Sequence, residues 1–333
     1  MNVKLFFQKR NTLSKMAFVL CFCMLLTGCR QKPAALIDGQ LDAAGYSSGT
    51  VSEEGYEQTL LSEDICVIPK KNRSATDSAI TAGSALLVDD TDNKMLYAQK
   101  IYQKRYPASI TKIVTALVAL KYANLDDTVT ISYEASHITE YGAKLCGFQE
   151  GDQVSMGTLL YSLLIYSGND AGVAIAEHIA GTQEAFAERM NEEMRSLGAC
   201  GTHFVNAHGL HDENHYTTAY DLYLVFHELL QYDTFREIIN RPEYLATWQD
   251  AQGQERSMTF RSTDRYLLDY EHAPEGLTVI GGKTGTTIAA GSCLILYSQD
   301  EDKKDYISVI LDADSSVALY SQMNHMLEYV VKK

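Results

Sequence analysis

Three short polar clusters, set between apolar runs, constrain this chain more than any other feature. They read Ser-Ile-Thr-Lys at 109–112, Ser-Gly-Asn at 167–169 and Lys-Thr-Gly-Thr at 283–286. Each pattern alone is weak, because short patterns recur by chance in a chain of this length. Three in this order, each in a local context that suits it, indicate a single site assembled from distant segments.

The first cluster stands at a predicted helix start. Pro107 and Ser109 precede an apolar stretch from Ile110 to Leu120, and both suit the first turn of a helix. The stretch is apolar nearly all round, which predicts a buried helix. Ser109 and Lys112 share one face, and loss of solvation favours a neutral lysine that takes the serine proton. The plainer alternative makes Ser109 a cap and Lys112 a surface charge.

The second cluster links two predicted helices, 157–166 and 171–180. Gly and Asn are turn formers, and Asp170 is expected to cap the second helix. An ordinary helix–helix turn is one interpretation. The other is that Ser167 relays a proton to a leaving amine, while Asn169 holds a substrate amide and the Lys112 side chain.

The third cluster continues a predicted strand that begins at 277–280, with further strands at 293–297 and 306–311. Gly285 is expected to let a peptide lie alongside as an added strand. A phosphate-binding loop would need a glycine at the position of Leu277 and a helix after the motif. The pattern therefore favours peptide binding.

Charge and hydroxyl groups at the third cluster suit a substrate that ends in a carboxylate. Lys283 supplies the positive charge, and the hydroxyls of Thr284 and Thr286 can donate hydrogen bonds. The backbone N–H groups of Ser109 and Thr286 are expected to form the oxyanion hole.

With these motifs in view, the chain resembles the serine-type D-Ala-D-Ala carboxypeptidases, the low-molecular-weight penicillin-binding proteins, from about Ala79 to near its C-terminus. The matching segments are Pro107-Ala108-Ser109-Ile110-Thr111-Lys112-Ile113, Ser167-Gly168-Asn169-Asp170-Ala171, Asn206-Ala207-His208-Gly209-Leu210, His215-Tyr216-Thr217-Thr218-Ala219-Tyr220-Asp221-Leu222, Lys283-Thr284-Gly285-Thr286-Thr287 and Ala290-Gly291-Ser292-Cys293-Leu294. The resemblance implies an α+β, β-lactamase/transpeptidase-like fold, with an antiparallel sheet flanked by helices and a helical subdomain.

The resemblance also implies roles. Ser109 would be the acyl-forming nucleophile and Lys112 its base, with Ser167, Asn169 and Lys283 completing the catalytic cluster. The substrate would be the D-Ala-D-Ala end of a peptidoglycan stem peptide, β-lactams would inhibit, and no cofactor is expected. Many members carry a β-rich domain after the catalytic one, whereas here a helical stretch at 315–331 follows, so 79–333 is expected to be a single catalytic domain.

The N-terminus predicts export. Basic residues precede a short apolar core at 16–26, and Leu26-Thr27-Gly28-Cys29 fits a bacterial lipobox. We expect a lipoprotein signal at 1–28, a lipid on Cys29, a flexible stalk at 29–78 and attachment to the outer face of the cytoplasmic membrane. The alternative is an ordinary secretory signal with a chance cysteine.

Cysteine and histidine patterns leave two questions open. Outside the signal and the lipobox stand Cys66, Cys146, Cys200 and Cys293, which allow three pairings or reduced, buried thiols; the latter is favoured for Cys293 in its strand. Four histidines crowd at 203–215, but that stretch resembles the family's own, and no metal is expected.

Composition and missing motifs narrow the function. The formal net charge is -15 and no basic arm appears, which argues against nucleic-acid binding. Carboxypeptidase and D,D-endopeptidase share one machinery and are not separated. A β-lactamase of the common class needs a Glu in an E-x-x-L-N segment, and 202–206 reads Thr-His-Phe-Val-Asn instead, so slow deacylation is predicted. A non-enzymatic binding or sensor module is the remaining alternative.

Overall fold

The computed structural model describes residues 65–68 and 76–332. Its strands are β1 Ser84–Asp89, β2 Lys94–Gln99, β3 Thr128–Thr130, β4 Gln153–Ser155, β5 Glu243–Gln249, β6 Glu255–Arg261, β7 Leu277–Thr287, β8 Gly291–Asp300 and β9 Asp305–Ala313. The main sheet has five strands in the order β2-β1-β9-β8-β7, and all its pairings are antiparallel. Strand β7, which carries the third cluster, therefore lies at an edge of this sheet.

Side-chain alternation along the strands gives the main sheet two buried faces. On β1, Ala85 and Leu87 belong to one hydrophobic cluster while Leu86 and Val88 belong to the other. Each face is covered by helices, because a sheet that is apolar on both sides must bury both.

The helices are α1 Thr111–Tyr122, α2 Tyr133–Ser136, α3 Met156–Tyr161, α4 Asn169–Ala180, α5 Gln183–Ser196, α6 Ala219–Leu229, α7 Asp233–Ile239 and α8 Ser316–Val331. Every residue of α1 from Thr111 to Ala119 is buried, which confirms the prediction of a helix enclosed on all sides. Helix α8 covers the opposite face of the sheet from α1 and confirms the helical stretch predicted at 315–331. Ser315 caps α8 by accepting a hydrogen bond from Ala318 N.

A second, four-stranded sheet with the order β3-β4-β5-β6 accompanies the helical part. Its β5–β6 hairpin lies in the connection between α7 and β7. The Trp248 indole donates to Asp152 Oδ2 over 2.8 Å and ties the hairpin to the loop before β4.

The structure differs from the predicted stalk boundary at residue 79. Cys66 and Ile68 are buried in the main hydrophobic cluster. Cys66 N donates to the Tyr223 hydroxyl over 2.9 Å, and the Tyr220 hydroxyl donates to Cys66 O over 3.1 Å, so 65–68 packs on α6. These residues belong to the packed domain, not to a free stalk.

The described cysteines are all free thiols, and Cys293 is buried in β8 as predicted. No helix within the described residues is both long and apolar enough to cross a bilayer. The predicted signal at 1–28, its Cys29 and most of the predicted stalk lie outside the described residues.

Candidate active site

Ser109 lies in a short 3-10 turn, Ala108–Ile110, that leads directly into α1. Ala108 has a φ of 49°, a left-handed value that an alanine adopts only at a cost of roughly 1–3 kcal/mol. The Thr111 hydroxyl donates to Ala108 O over 2.8 Å. The backbone is thus strained at Ala108, immediately before the serine, and the Thr111 hydrogen bond stabilises this strained conformation.

Buried His215 supports this turn from outside. Its Nδ1 accepts a hydrogen bond from Val205 N over 3.1 Å, so the ring proton sits on Nε2, which donates to Thr111 Oγ1 over 2.7 Å. Burial lowers the pKa of His215 to about 3, which keeps the ring neutral. The resulting chain of hydrogen bonds runs from His215 through Thr111 to the carbonyl of Ala108.

Two glycines allow other segments to press against the same turn. A Cβ on Gly209 would lie 1.9 Å from Ala108 O, and one on Gly285 would lie 2.8 Å from Pro107 O and 2.9 Å from Ser109 N. Gly285 thus also lets β7 approach the serine turn, besides the predicted role in peptide binding, which stays a prediction. Its contact also brings β7 beside the Ser109 N–H.

Lys112 Nζ has three neighbours. It lies 3.0 Å from Ser109 Oγ, 2.7 Å from Asn169 Oδ1 and 2.6 Å from the carbonyl oxygen of His208. The side chain is fully buried, and burial together with the charge of Lys283 holds its pKa well below the usual range. The neutral amine is the favoured form.

A neutral amine has two hydrogens and one lone pair. Asn169 Oδ1 and His208 O can only accept, so they take both hydrogens of Lys112. The lone pair is then left for the third neighbour, the Ser109 hydroxyl, which donates to it. This is the arrangement that a general base needs.

The second polar pair is Ser167 with Lys283. The segment that follows α3, Ser162–Tyr166, is one turn of π-helix, whereas the sequence predicts that the α-helix continues to residue 166. It ends at Ser167 with φ 73° and ψ 34°, in the left-handed region. Such local departures are frequent at functional sites. Lys283 Nζ donates to Ser167 Oγ over 3.0 Å and to Thr284 O over 2.9 Å.

Burial, reinforced by the nearby charge of Lys144, lowers the pKa of Lys283 to about 7. Asp264 acts in the opposite direction on Lys283. Asp264 is itself buried, its Oδ2 has no hydrogen-bond partner among the described residues, and burial raises its pKa to about 6. Lys283 of the third cluster and the nearby Asp264 therefore both have pKa values close to neutral pH.

The predicted substrate-binding residues lie on the edge strand. The Thr284 hydroxyl donates to Thr263 Oγ1 over 2.6 Å, and Thr286 is exposed. Strand β8 is the single neighbour of β7 in the main sheet as described, so the other edge of β7 has no strand partner there, and β7 contacts the serine turn at Gly285.

Asp170 does not cap α4, contrary to the prediction. The helix begins at Asn169 with Gly168 as its cap residue. The buried Asp170 carboxylate instead accepts from Cys146 N and Gly147 N, each over 2.9 Å. It fixes the loop at 144–147, whose Lys144 O accepts from Asn169 N over 2.7 Å.

All the proposed catalytic side chains therefore meet. Sequence reasoning missed the His208 carbonyl, Lys144 and Asp264. Nothing in a motif marks a backbone carbonyl or a charge placed by a distant loop. Within the described part of the chain, no three His, Cys, Asp or Glu side chains converge as metal ligands. The His215 ring instead hydrogen-bonds Thr111, and the His208 carbonyl accepts from Lys112.

A family profile described as D-alanyl-D-alanine carboxypeptidase matches residues 70–315. The chain belongs to this family. The D-alanyl-D-alanine carboxypeptidase DacD of Escherichia coli is 31% identical over 75% of this chain and 63% of its own length. DacF of Bacillus subtilis is 29% identical over 77% of this chain and 64% of its own length. The chain thus spans under two thirds of the length of these relatives.

Solved structures agree with the family and with the α+β, transpeptidase-like fold. The DD-transpeptidase of Streptomyces K15 superposes with a TM-score of 0.71 at 28% identity, over 78% of this chain and all of that one. Penicillin-binding protein 5 of Haemophilus influenzae gives a TM-score of 0.68 at 27% identity, over 78% of this chain and 73% of its own.

Proposed function

We propose that this protein is a serine-type D-alanyl-D-alanine carboxypeptidase that removes the terminal D-Ala of peptidoglycan pentapeptides. The observation that carries the proposal is the lone pair of buried Lys112, which the Asn169 and His208 oxygens leave aimed at Ser109. Family membership supplies the substrate class.

Acylation begins when Ser109 Oγ attacks the carbonyl carbon of the penultimate D-Ala and passes its proton to Lys112 Nζ. The oxygen that gains negative charge is placed beside the Ser109 N–H and β7, where the N–H groups of Ser109 and Thr286 stabilise it. Because the negative charge on that oxygen is larger in the transition state than in the substrate, these donors stabilise the transition state more and so accelerate the step.

The leaving D-Ala needs a proton on its nitrogen. Ser167 accepts a hydrogen bond from Lys283, which leaves its own hydroxyl proton free to pass to that nitrogen, and in exchange Ser167 takes up the proton that Lys112 received from Ser109. Neutral Lys112 then accepts a proton from a water molecule as that water attacks the ester on Ser109, and it returns the proton to Ser109 Oγ as the tetrapeptide leaves.

Substrate orientation follows from charge. A C-terminal carboxylate is attracted to Lys283 and accepts a hydrogen bond from the Thr286 hydroxyl, and from the Thr284 hydroxyl once that group turns its hydrogen away from Thr263 Oγ1. The peptide then extends along the free edge of β7 as an added strand.

A β-lactam would acylate Ser109 in the same way, and we propose that it leaves slowly. Among the described hydrogen bonds of Ser109 and Lys112, none involves a carboxylate that could activate water. Asn206, in the segment where a β-lactamase glutamate would be sought, instead accepts from His208 N and Gly209 N.

We also propose that the protein is exported and held on the outer face of the cytoplasmic membrane by a lipid on Cys29. The basic start, the short apolar core and the lipobox sequence support this proposal. The segment from 29 to about 64 would then act as the tether. Metabolic labelling with a fatty acid tests it: wild type should be labelled and Cys29→Ser should not, and equal labelling of both would contradict it.

The enzyme activity is tested by mass spectrometry of peptide products from the protein beginning at residue 65. We expect a muramyl pentapeptide to lose one D-Ala and the Ser109→Ala variant to leave it intact. Cleavage of a cross-linked dimer in place of the pentapeptide would assign D,D-endopeptidase activity. Failure to cut either one would favour a binding or sensor module.

A further inference from the structure

A cavity of about 410 Å³ lies beside the serine turn, beyond the C-terminal end of β7. Its walls come from 104–106, which leads into the turn, from Glu213 and Tyr216, and from Ala289, Ala290 and Asp312 around the β7–β8 connection. None of these residues belongs to the catalytic cluster described above. We call this cavity the stem pocket.

Four charged residues line the stem pocket, and two of them, Arg105 and Asp312, form structural contacts with other parts of the protein. The Arg105 guanidinium lies 3.4 Å from the Asp312 carboxylate and donates to Gly83 O over 2.7 Å. Arg105 also bridges to Thr217 through backbone hydrogen bonds of 2.8 and 2.9 Å. The two charges of this pair offset each other at one wall of the stem pocket.

The other two charges are available. Lys104 Nζ lies 3.8 Å from the centre of the Tyr216 ring, which holds the ammonium in place without neutralising it. Glu213 is exposed. Across residues 65–68 and 76–332, neither forms an ion pair. The stem pocket therefore offers one free positive and one free negative charge.

The direction of the substrate brings its upstream part here. With the terminal carboxylate at Lys283 and the reacting carbonyl at Ser109 and Thr286, the peptide must run antiparallel to β7. Each further substrate residue advances about 3.3 Å along the strand. The third residue of the stem peptide then lies near Thr287, and Ala289 and Ala290 of the pocket follow directly.

We propose that the stem pocket binds the side chain of the third stem-peptide residue and selects a diamino acid whose far end carries both an ammonium and a carboxylate group. The proposal rests on the carboxypeptidase function proposed above. Lys104 attracts the carboxylate and Glu213 the ammonium. The Tyr106 ring, held edge-on by His211 at a ring distance of 4.7 Å, and Ala289 offer contacts to the methylene groups between.

The test uses three pentapeptides that end in D-Ala-D-Ala and differ at residue three: a diaminodicarboxylic acid, lysine or norleucine. We expect kcat/KM to fall in that order, by roughly three- to tenfold at each step, as for partly exposed charge pairs. Lys104→Gln should reduce cleavage of the diaminodicarboxylic peptide alone. Glu213→Gln should reduce cleavage of both peptides with a side-chain amine and spare the norleucine peptide.

Matched controls are Lys94→Gln and Glu275→Gln, which remove exposed charges far from the stem pocket along the sheet. Both should behave as wild type with all three peptides. Equal kcat/KM for the three peptides, or equal losses for all three in the pocket variants, would refute the role assigned to the stem pocket but leave the proposed carboxypeptidase function intact. If no peptide is cut and no β-lactam acylates Ser109, the proposed function and the pocket fall together.

Discussion

Replacing Asn169 by aspartate tests the assignment of Lys112 as a neutral base. The side chains have nearly the same shape, but aspartate places a negative charge where Asn169 Oδ1 now lies, 2.7 Å from Lys112 Nζ. That charge stabilises the protonated lysine, which has no lone pair for the Ser109 proton. Acylation should therefore slow without loss of the fold.

The magnitude follows from the distance. At 2.7 Å and an effective dielectric constant of about 20, the new pair is worth roughly 4–6 kcal/mol. Burial of the new carboxylate offsets about half of this. The remainder, about 3 kcal/mol, favours protonated over neutral Lys112, so the acylation rate should fall by at most about a hundredfold, at the low pH values where the variant lysine is protonated.

The assay is the second-order rate of acylation by a fluorescent penicillin between about pH 6 and about pH 9, expressed as variant over wild type. The ratio should rise with pH, by no more than about tenfold for each unit, as the variant lysine loses its proton, and it should level off where both lysines are neutral. Asn169→Ala, which removes the oxygen without adding charge, should show a ratio that does not depend on pH. A pH-independent ratio for Asn169→Asp would refute the role given to Lys112.

Three further predictions concern the surroundings of the site. Gly209→Ala should lower the free energy of unfolding by about 3 kcal/mol in urea titration, since it combines left-handed strain with a Cβ 1.9 Å from Ala108 O; Gly198→Ala, which has φ 76° and open space, should cost about 1 kcal/mol. KM for the pentapeptide should rise as pH increases through about 7, because the Lys283 charge that attracts the carboxylate is present below its pKa and lost above it; a flat KM would contradict this. Asp264→Asn removes a charge that favours protonated Lys283, so the rise in KM should move to lower pH, and an unmoved profile would count against the coupling.

Asp264 also makes stability depend on pH. Burial raises its pKa from the ordinary aspartate value of 3.8 to about 6, so between these two pH values the folded state holds a proton that the unfolded state has released. Stability is therefore lost as pH rises from about 4 to about 6. Asp264→Asn should lack this loss.

The sequence predicts the parts of this molecule that depend on local pattern. Helix α1 and strands β7, β8 and β9 are apolar enough to be recognised from their own residues, and spacing alone places Ser109 and Lys112 on one face. The order and local context of the three clusters indicate that they meet, and the family resemblance supplies the role of each.

The parts that depend on distant contacts could not be predicted. Asp170 stands where a cap residue belongs, yet its carboxylate binds the loop at 146–147, which lies more than twenty positions away. The four residues 65–68 are too short to show a period, and their burial depends on two tyrosine hydroxyls of α6. The turn of π-helix before Ser167 has no sequence signature, because its geometry is set by the helices on either side.

The central claim is that Ser109 becomes acylated. Intact-protein mass spectrometry after incubation with benzylpenicillin, followed by peptide mapping, measures this directly. We predict a single covalent adduct on Ser109 that persists for many minutes and is absent from Ser109→Ala. An adduct on another residue, or none on a folded protein, would contradict the account.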